Sequence, residues 1–423
     1  MKYFPLTMSF VEESATAFGL DHAGILKLRL SCEEIFSYLA KSNQKGKTIT
    51  VESEDGGYYV EVKFLFEIRD FDPHAFNITA KASLDPEGAL EEMGLIIAAR
   101  SVDGLQMLHD SQSGLGVGLV KDKFYPEIKD PVRVPVGPLS RFSVKPPESE
   151  ALKIFVRQVA AYYPSHLYPS YFCAPGRVVD MVATGRYHVL IASDPQTGVV
   201  AGGLMWRPVG SKMIELFGPY LFNQPRDNTM AEVLVEEAVA AVAKTEAVGV
   251  IDVFATPELP KDYFELLGSI NYCGAEGKRE PLSYYFRQLK EDPGSQVWAH
   301  PDLIPFLEKE YSRLFFPRQM LTPTFEGEGR PAHSVFSRRF NRHQGLVALR
   351  LVWDGTDAGT VLGEHVKVLT AEGLTNILFE MDLAYPWQAR LTPDLMGEGF
   401  EARMILPHAG AADIVVFEYR RGR

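Results

Sequence analysis

Residues 214–243, IELFGPYLFNQPRDNTMAEVLVEEAVAAVA, read as an apolar strand, a Gly-Pro break, an irregular loop and a long Ala/Val helix. Thr229 followed by Glu232 is a capping box, so the spacing predicts a helix from Met230. The amides of Met230, Ala231 and Glu232 then face the loop and make an electropositive pocket for an anion. A strand running into such a pocket is one way to hold the phosphates of a nucleotide or of coenzyme A. The same pattern also serves as an ordinary strand–loop–helix crossover, so the neighbouring segments decide its meaning.

The chain has 423 residues, long enough for two to four domains, and 46% hydrophobic residues, enough for true cores. It holds no apolar run of about 18 residues, and MKYFPLTMSFVEES lacks the pattern of a signal peptide. Cys32, Cys173 and Cys273 are isolated, with no CxxC and no Cys/His pair at metal spacing. These features predict a cytoplasmic protein with no metal centre and no membrane association. A net charge of −12 opposes nonspecific binding to nucleic acid or anionic lipid. The basic run SRRFNRH at 337–343 reads as a short solvated loop.

In chain order, residues 20–40 place Leu28, Cys32, Ile35, Phe36 and Leu39 on one helical face. KTITVESE and YYVEVKFLFEIRD flank Asp55-Gly56-Gly57, a hairpin signal. Val60, Val62, Phe64, Phe66 and Ile68 share a face, and Asp70 falls in the same phase, where an acid is costly unless bonded. A helix at GALEEMGLIIAARSVDGL and a Gly-rich strand LGVGLVKDKF follow.

Through LKLRLSCEEIF, EIRDFDPHAFN and EEMGLIIAARSVDGL, residues 1–128 resemble the anti-sigma-factor type of GHKL ATP-binding domain. The resemblance implies a nucleotide site at Glu34, Asp70 and Gly94. This chain departs from the family pattern with Tyr38 in place of an Asn, Asp72 in place of a Gly, and only Gly94 left of a Gly-x-Gly. ATP with magnesium is therefore not expected to bind, and the fold is expected to outlast its chemistry. The resemblance also implies a protein partner of the sigma-factor or anti-sigma-antagonist type.

Five prolines in KDPVRVPVGPLSRFSVKPP mark 129–147 as a semi-rigid linker. Residues 148–290 read as two helical segments, a hairpin turning at 195–198, the strand–loop–helix of 214–243, a short strand, a helix at PKDYFELLGS and a closing strand. Through HVLIASDPQTGVVAGGLMW, GPYLFNQPRDNTMAEVLVEEAV and YFELLGSINY, this segment resembles the GNAT acyltransferase fold. The resemblance implies coenzyme A or acyl-CoA along Gly218, Tyr220, Phe222 and Gln224, with its pyrophosphate on Thr229, Met230 and Ala231. It implies Glu215 as general base, although a lone acid on a strand is also an ordinary edge residue. Asp227 and Thr229 stand where the family keeps small residues, and Phe264 stands where it keeps a Tyr.

Residues 291–423 repeat part of the plan and resemble a second GNAT-like unit. Gly355 and Gly359 of the GTDAG loop are its candidate phosphate contacts, though paired glycines also serve tight turns. His365 and Asp382 lie nearby, with His365 expected on the helix surface. The chain has no Walker loop, HExxH, GxSxG or Rossmann fingerprint, and the Gly114–Gly118 run lies inside a strand pattern.

The expected class is α+β, an α/β sandwich, with a GHKL-like domain followed by two GNAT-like domains. Two functions remain open. One is acyl-CoA-dependent N-acyl transfer to a small-molecule or protein amine, coupled to the regulatory domain. The other is a noncatalytic regulator whose degenerate folds bind a protein partner.

Overall fold

A computed structural model describes residues 2–42, 48–67, 74–77, 79, 86–110, 114–225, 229–274, 277–341 and 344–420. The molecule is mixed α/β with several sheets, arranged as two compact units.

The first unit comprises Met1–Tyr125, Gly329–Ser337 and Arg350–Val368. It contains α1 (Phe4–Ala17), α2 (His22–Ser42), β1 (Ile49–Asp55), β2 (Tyr59–Phe66), α3 (Pro86–Ser101), β3 (Gly104–Asp110) and β4 (Gly114–Asp122). The strands form an antiparallel sheet in the order β1-β2-β4-β3. The turn between β1 and β2 sits where Asp55-Gly56-Gly57 predicts it: the Gly57 amide donates to Asp55 Oδ1 at 2.9 Å, with Gly57 at φ 82°. Val60, Val62, Phe64 and Phe66 alternate onto the face that packs against Leu28, Cys32, Ile35 and Leu39 of α2. Each such fully buried side chain contributes about 1.5–3 kcal/mol. Burial pushes the Cys32 thiol well above its ordinary pKa, which makes it a core residue and an inert thiol.

Two elements of this unit are not evident from local periodicity. One is α1. The other is β3, which occupies the end of the segment read as helix, where Leu105–Leu119 and Met107–Val117 pairing with β4 prevails. Val335, Val352 and Trp353, remote in sequence, complete the core. Asn77 fixes the first of these segments, donating to the Ser334 carbonyl at 2.7 Å and accepting from the Phe336 amide at 2.9 Å.

The second unit comprises Pro126–Glu328, Arg338–Leu349 and Leu369–Arg423. Its seven-stranded sheet is built from β5 (Ser143–Lys145), β6 (His188–Ser193), β7 (Val200–Val209), β8 (Met213–Leu221), β9 (Gly249–Asp252), β10 (Glu265–Cys273) and β11 (Arg279–Gln288). Their order is β10-β11-β9-β8-β7-β6-β5. Helices α4 (Ser149–Tyr162) and α5 (Pro175–Ala183) precede β6, and α6 (Thr229–Val242) links β8 to its parallel neighbour β9. The helix expected at 260–269 is a correction. Only Lys261–Tyr263 forms a single 3₁₀ turn, and the chain then enters β10. Leu267, Ile270 and Tyr272 are buried there, and pairing with β11 overrides helical propensity.

After β12 (Ser295–Trp298), α7 (Ile304–Leu314) and β13 (Arg318–Leu321), the strand–helix–strand plan recurs. It uses β14 (Val335–Asn341), β15 (Leu346–Trp353), α8 (Ala358–Ala371), β16 (Asn376–Asp382), α9 (Pro386–Ala389), α10 (Thr392–Gly397), β17 (Phe400–Leu406) and β18 (Ile414–Tyr419). The sheet order is β14-β15-β16-β18-β17, again with one parallel pair, β15 and β16, at the helix crossover. Residues of β14, β15 and α8 belong partly to each unit.

A buried charge cluster fastens β13 within the second unit. The fully buried Arg318 side chain donates to Asp413 at 2.7 Å and to Asp292 at 2.8 Å. His408 Nε2 lies 2.8 Å from Asp292, and the Tyr311 hydroxyl donates to Asp413 at 2.9 Å.

Candidate functional site

The stretch that opens the sequence analysis forms β8, its following loop and α6. Strands β8 and β9 pair in parallel from Met213–Gly249 to Leu216–Asp252, and no pairing follows. From Phe217 onward the edge of β8 that faced β9 is released, a backbone surface onto which an extended ligand could add as a strand.

The chain's own groups occupy that edge. Pro219 has no amide hydrogen, and its carbonyl accepts the Thr256 hydroxyl at 2.6 Å. The Tyr163 hydroxyl donates to the Leu221 carbonyl at 3.1 Å and accepts from the Leu221 amide at 2.7 Å. Burial, then the nearby Glu258 carboxylate, pushes the Tyr163 phenol well up, so it stays a neutral hydrogen-bonding group. Phe217 and Phe254 face each other with ring centroids 5.7 Å apart.

Of the predicted contacts, Gly218 is at φ 102°. Tyr220 is fully buried and donates to the Leu167 carbonyl at 2.9 Å, and Phe222 is buried beside Phe155. The Gln224 amide oxygen accepts from the Leu139 amide, and its nitrogen donates to the Gly137 and Phe222 carbonyls. Thr229 begins α6, one residue before the expected start, while Met230 and Ala231 are buried under its first turn. Asp227 lies outside the described residues. The structure thus gathers Gly218 and Tyr220 on β8 and Phe222 and Gln224 on the loop that follows, with the Tyr220 hydroxyl, the Phe222 backbone and the Gln224 amide bonded internally.

At the last paired position of the slot, Asp252 is fully buried. Its Oδ1 accepts from the Phe254 amide at 2.9 Å, and its Oδ2 has no hydrogen-bond partner among the described residues. Burial drives its pKa far up, the Phe254 amide draws it down less, and the Glu215 carboxylate adds to the rise.

The GTDAG loop belongs to the first unit and is likewise engaged. Asp357 accepts from the Ser334 amide at 2.8 Å and lies 3.0 Å from His333 Nδ1, while Arg330 grips Asp354 and the Gly355 carbonyl. A Cβ on Gly355 would lie 2.2 Å from the His333 carbonyl carbon, so that glycine serves close backbone approach. Gly359 lies in the first turn of α8. His365 is a correction: it is buried, with Nδ1 2.8 Å from the Val361 carbonyl, because α8 turns that face into the core.

Of the predicted nucleotide residues, Asp70 lies outside the described residues. Glu34 on α2 and Gly94 on α3 do meet, but against one another: a Cβ on Gly94 would lie 2.1 Å from Glu34 Oε2. The glycine makes room for the acid. ATP with magnesium at about ten times a millimolar Kd should therefore leave the melting temperature unchanged, whereas true binding would raise it by a few degrees. A rise in a thermal-shift assay that Glu34→Ala removes would overturn this expectation.

Glu215 is an ion-pair partner, since Arg207 donates to its Oε2 from Nε and Nη2, each at 2.6 Å. Burial opposes the Arg207 charge, but Glu215, Tyr171 and Tyr187 more than offset it, so the guanidinium keeps its proton. A second pair stands on the five-stranded sheet, where Arg339 Nη2 donates to Glu380 Oε1 at 2.7 Å. Sequence reading singled out neither arginine as functional. One signal was available: across the turn at Gly210, Val209 opposes Met213, which sets Arg207 against Glu215. Tyr163, Thr256, Asp252, Arg339 and Glu380 gave no local signal. Among the described residues no group of three or more His, Cys, Asp or Glu is placed to hold a metal, and no helix is long and apolar enough to cross a membrane.

No family model and no curated protein matches the chain. Part of it is similar to solved acetyltransferase structures. Aminoglycoside 6'-acetyltransferase type Ii is 14% identical over 36% of this chain and 99% of that chain, with a TM-score of 0.28. The aminoglycoside 6'-N-acetyltransferase from Enterococcus faecium is 13% identical over 36% and 99%, with a TM-score of 0.28. A GNAT family N-acetyltransferase from Escherichia coli in complex with CoA is 17% identical over 37% and 86%, with a TM-score of 0.26.

Proposed function

We propose that the chain is a noncatalytic regulatory protein that uses acyltransferase-like and GHKL-like folds as binding scaffolds. One observation carries this reading: the released edge of β8 is filled by Thr256 and Tyr163, which engage the Pro219 carbonyl and both backbone groups of Leu221. An acyl-CoA arm adding along this edge must first displace those bonds, and each buried group left unpaired costs about 1–3 kcal/mol. In the repeated copy, Asp357 places a carboxylate in the loop that would receive a pyrophosphate, where like charges repel. The GHKL-like part is supported by the order α2, hairpin, α3, hairpin that follows α1 in the first unit, and a protein of the sigma-factor or antagonist type is the partner this reading entails.

N-acyl transfer is the second reading, and Glu215 favours it. Its Oε1 makes no hydrogen bond among the described residues, and it lies beside the last paired position of the slot. In that chemistry Glu215 takes a proton from an acceptor amine, the nitrogen attacks the thioester carbonyl, and the C–S bond breaks to release coenzyme A thiolate.

Calorimetry with acetyl-CoA separates the readings. The native protein should bind with a dissociation constant above about 100 μM, and Tyr163→Phe, which frees the Leu221 backbone, should tighten binding. Submicromolar affinity in the native protein would sink the noncatalytic reading.

A further inference from the structure

The face of the second unit that carries Glu215 holds more unspent polar capacity than an acyl slot explains. In the seven-stranded sheet the register Arg207–Glu215–Ile251–Phe286 runs across one face. Tyr284, two residues before Phe286 on β11, shares that face and pairs with Gly268. On the five-stranded sheet, Leu378 pairs with Glu418 and Glu380 with Val416, which puts Asn376, Glu380 and Glu418 on one face. This face meets β10: Glu418 accepts from the Asn271 amide at 2.6 Å, Asn376 accepts from the Cys273 amide at 2.7 Å, and Arg403 donates to the Ser269 carbonyl. The two ion pairs, Arg207–Glu215 and Arg339–Glu380, therefore rise from faces joined along β10, with Tyr284 between them.

The electrostatics agree. The Tyr284 phenol is pushed up first by burial and then by Glu380, is drawn down by Arg339, and is raised again by Glu215 and Glu418, so all four charges act on one hydroxyl. That hydroxyl keeps its proton and makes no hydrogen bond among the described residues. Arg339 is 67% exposed and, among the described residues, bonded only through Nη2, whereas the Glu380 side chain is 9% exposed. The Glu215 side chain is 12% exposed, with Oε1 unbonded among the described residues. One carboxylate oxygen, one phenol and one guanidinium edge thus influence one another across this face and have no hydrogen-bond partner among the described residues.

We propose that Glu215, Tyr284 and Arg339 form a binding site for a small zwitterion, an ammonium group joined to a carboxylate, as in free amino acids and short peptides. The ammonium donates to Glu215 Oε1, and the carboxylate accepts from Arg339 and the Tyr284 hydroxyl. The two ion pairs already cancel, so a neutral ligand bearing both charges leaves the enclosure balanced. A bare cation meets only Glu215 and a bare anion only Arg339 and Tyr284, so each makes half of the contacts that a zwitterion makes. The site rests on the noncatalytic reading only in making this ligand an effector and not an acyl acceptor. Binding is therefore measured without thioester, and its failure is distinct from a failure of the acetyl-CoA experiment.

The test is calorimetry and thermal shift on the full chain with L-alanine and glycylglycine as zwitterions, ethylamine as the cation and propionate as the anion. A zwitterion should bind with a dissociation constant of about 1 mM or tighter, with the single-charge probes at least roughly tenfold weaker. Arg339→Gln, at an exposed position that folding tolerates, should weaken zwitterion binding about tenfold and erase the preference over ethylamine. Glu215→Gln, which keeps the side-chain shape, should erase the preference over propionate. The proposal is overturned if neither zwitterion binds at about 20 mM, if ethylamine or propionate binds as well, or if Arg339→Gln binds as the native protein does.

Discussion

Arg318→Met is expected to destabilise the second unit by about 3–5 kcal/mol, the scale for removing one partner of a buried ion pair. The side chain is fully buried and, among the described residues, it alone supplies a permanent positive charge between Asp292 and Asp413, themselves 1% and 0% exposed. Met replaces the volume and removes the guanidinium between two buried carboxylates, which keep only their hydrogen bonds from His408, Tyr311 and backbone amides among the described residues. Burial raises the Asp292 pKa, but Arg318, the Gly294 amide and His408 lower it further, so the net shift is downward. A carboxyl depressed in the folded state stabilises above its unfolded pKa, about 3.9, and that contribution disappears as pH falls through the folded value. Urea unfolding should show native stability falling below about pH 4, with the fall reduced in Asp292→Asn. A loss under about 1 kcal/mol for Arg318→Met would mean that water or rearrangement satisfies both acids.

Asp252→Asn should act in the opposite direction and stabilise the protein at neutral pH by on the order of 1–3 kcal/mol. The carboxyl is fully buried, and Oδ2 has no partner among the described residues, while Asn retains the bond that Oδ1 accepts from the Phe254 amide. Its folded pKa is raised, so its contribution is most favourable below the unfolded value near 3.9 and is lost as pH rises through the window up to the folded value. The stability difference between variant and native protein should therefore grow from about zero at pH 4 toward its full size at neutral pH. A flat difference across that range would show that Asp252 ionises as freely when folded as when unfolded. Stabilisation combined with loss of zwitterion binding would show that the acid also shapes the neighbouring cleft.

Much of the local architecture follows from the sequence because its causes are local. Phe64 and Phe66 in one phase with Val60 and Val62 define a half-buried strand, Asp55-Gly56-Gly57 defines its turn, and Thr229 with Glu232 marks the start of α6. The segments around β8, α6, β15 and α8 announce strand–loop–helix crossovers for the same reason. The segment at 260–269 does not announce β10, because its strand state comes from pairing with β11 and from burial of Leu267 and Ile270. Gly94 reads as a phosphate-cradling glycine until α2 and α3 pack, when it proves to be the space filled by Glu34.

The same division governs the candidate site. By itself the sequence determined that Glu215 lies on a strand entering a loop before a capped helix, while the pairing of Arg207 with it comes from the register of β7 on β8. Only the tertiary structure decided that Tyr163 and Thr256 occupy the edge that strand would offer a ligand, because both reach β8 from other segments of the chain. It alone brought Tyr284, Arg339 and Glu380 toward Glu215. Hydrogen bonds and ion pairs are fixed by distances in space, and residues 69 to 165 positions apart in the chain carry no periodic signal of their meeting.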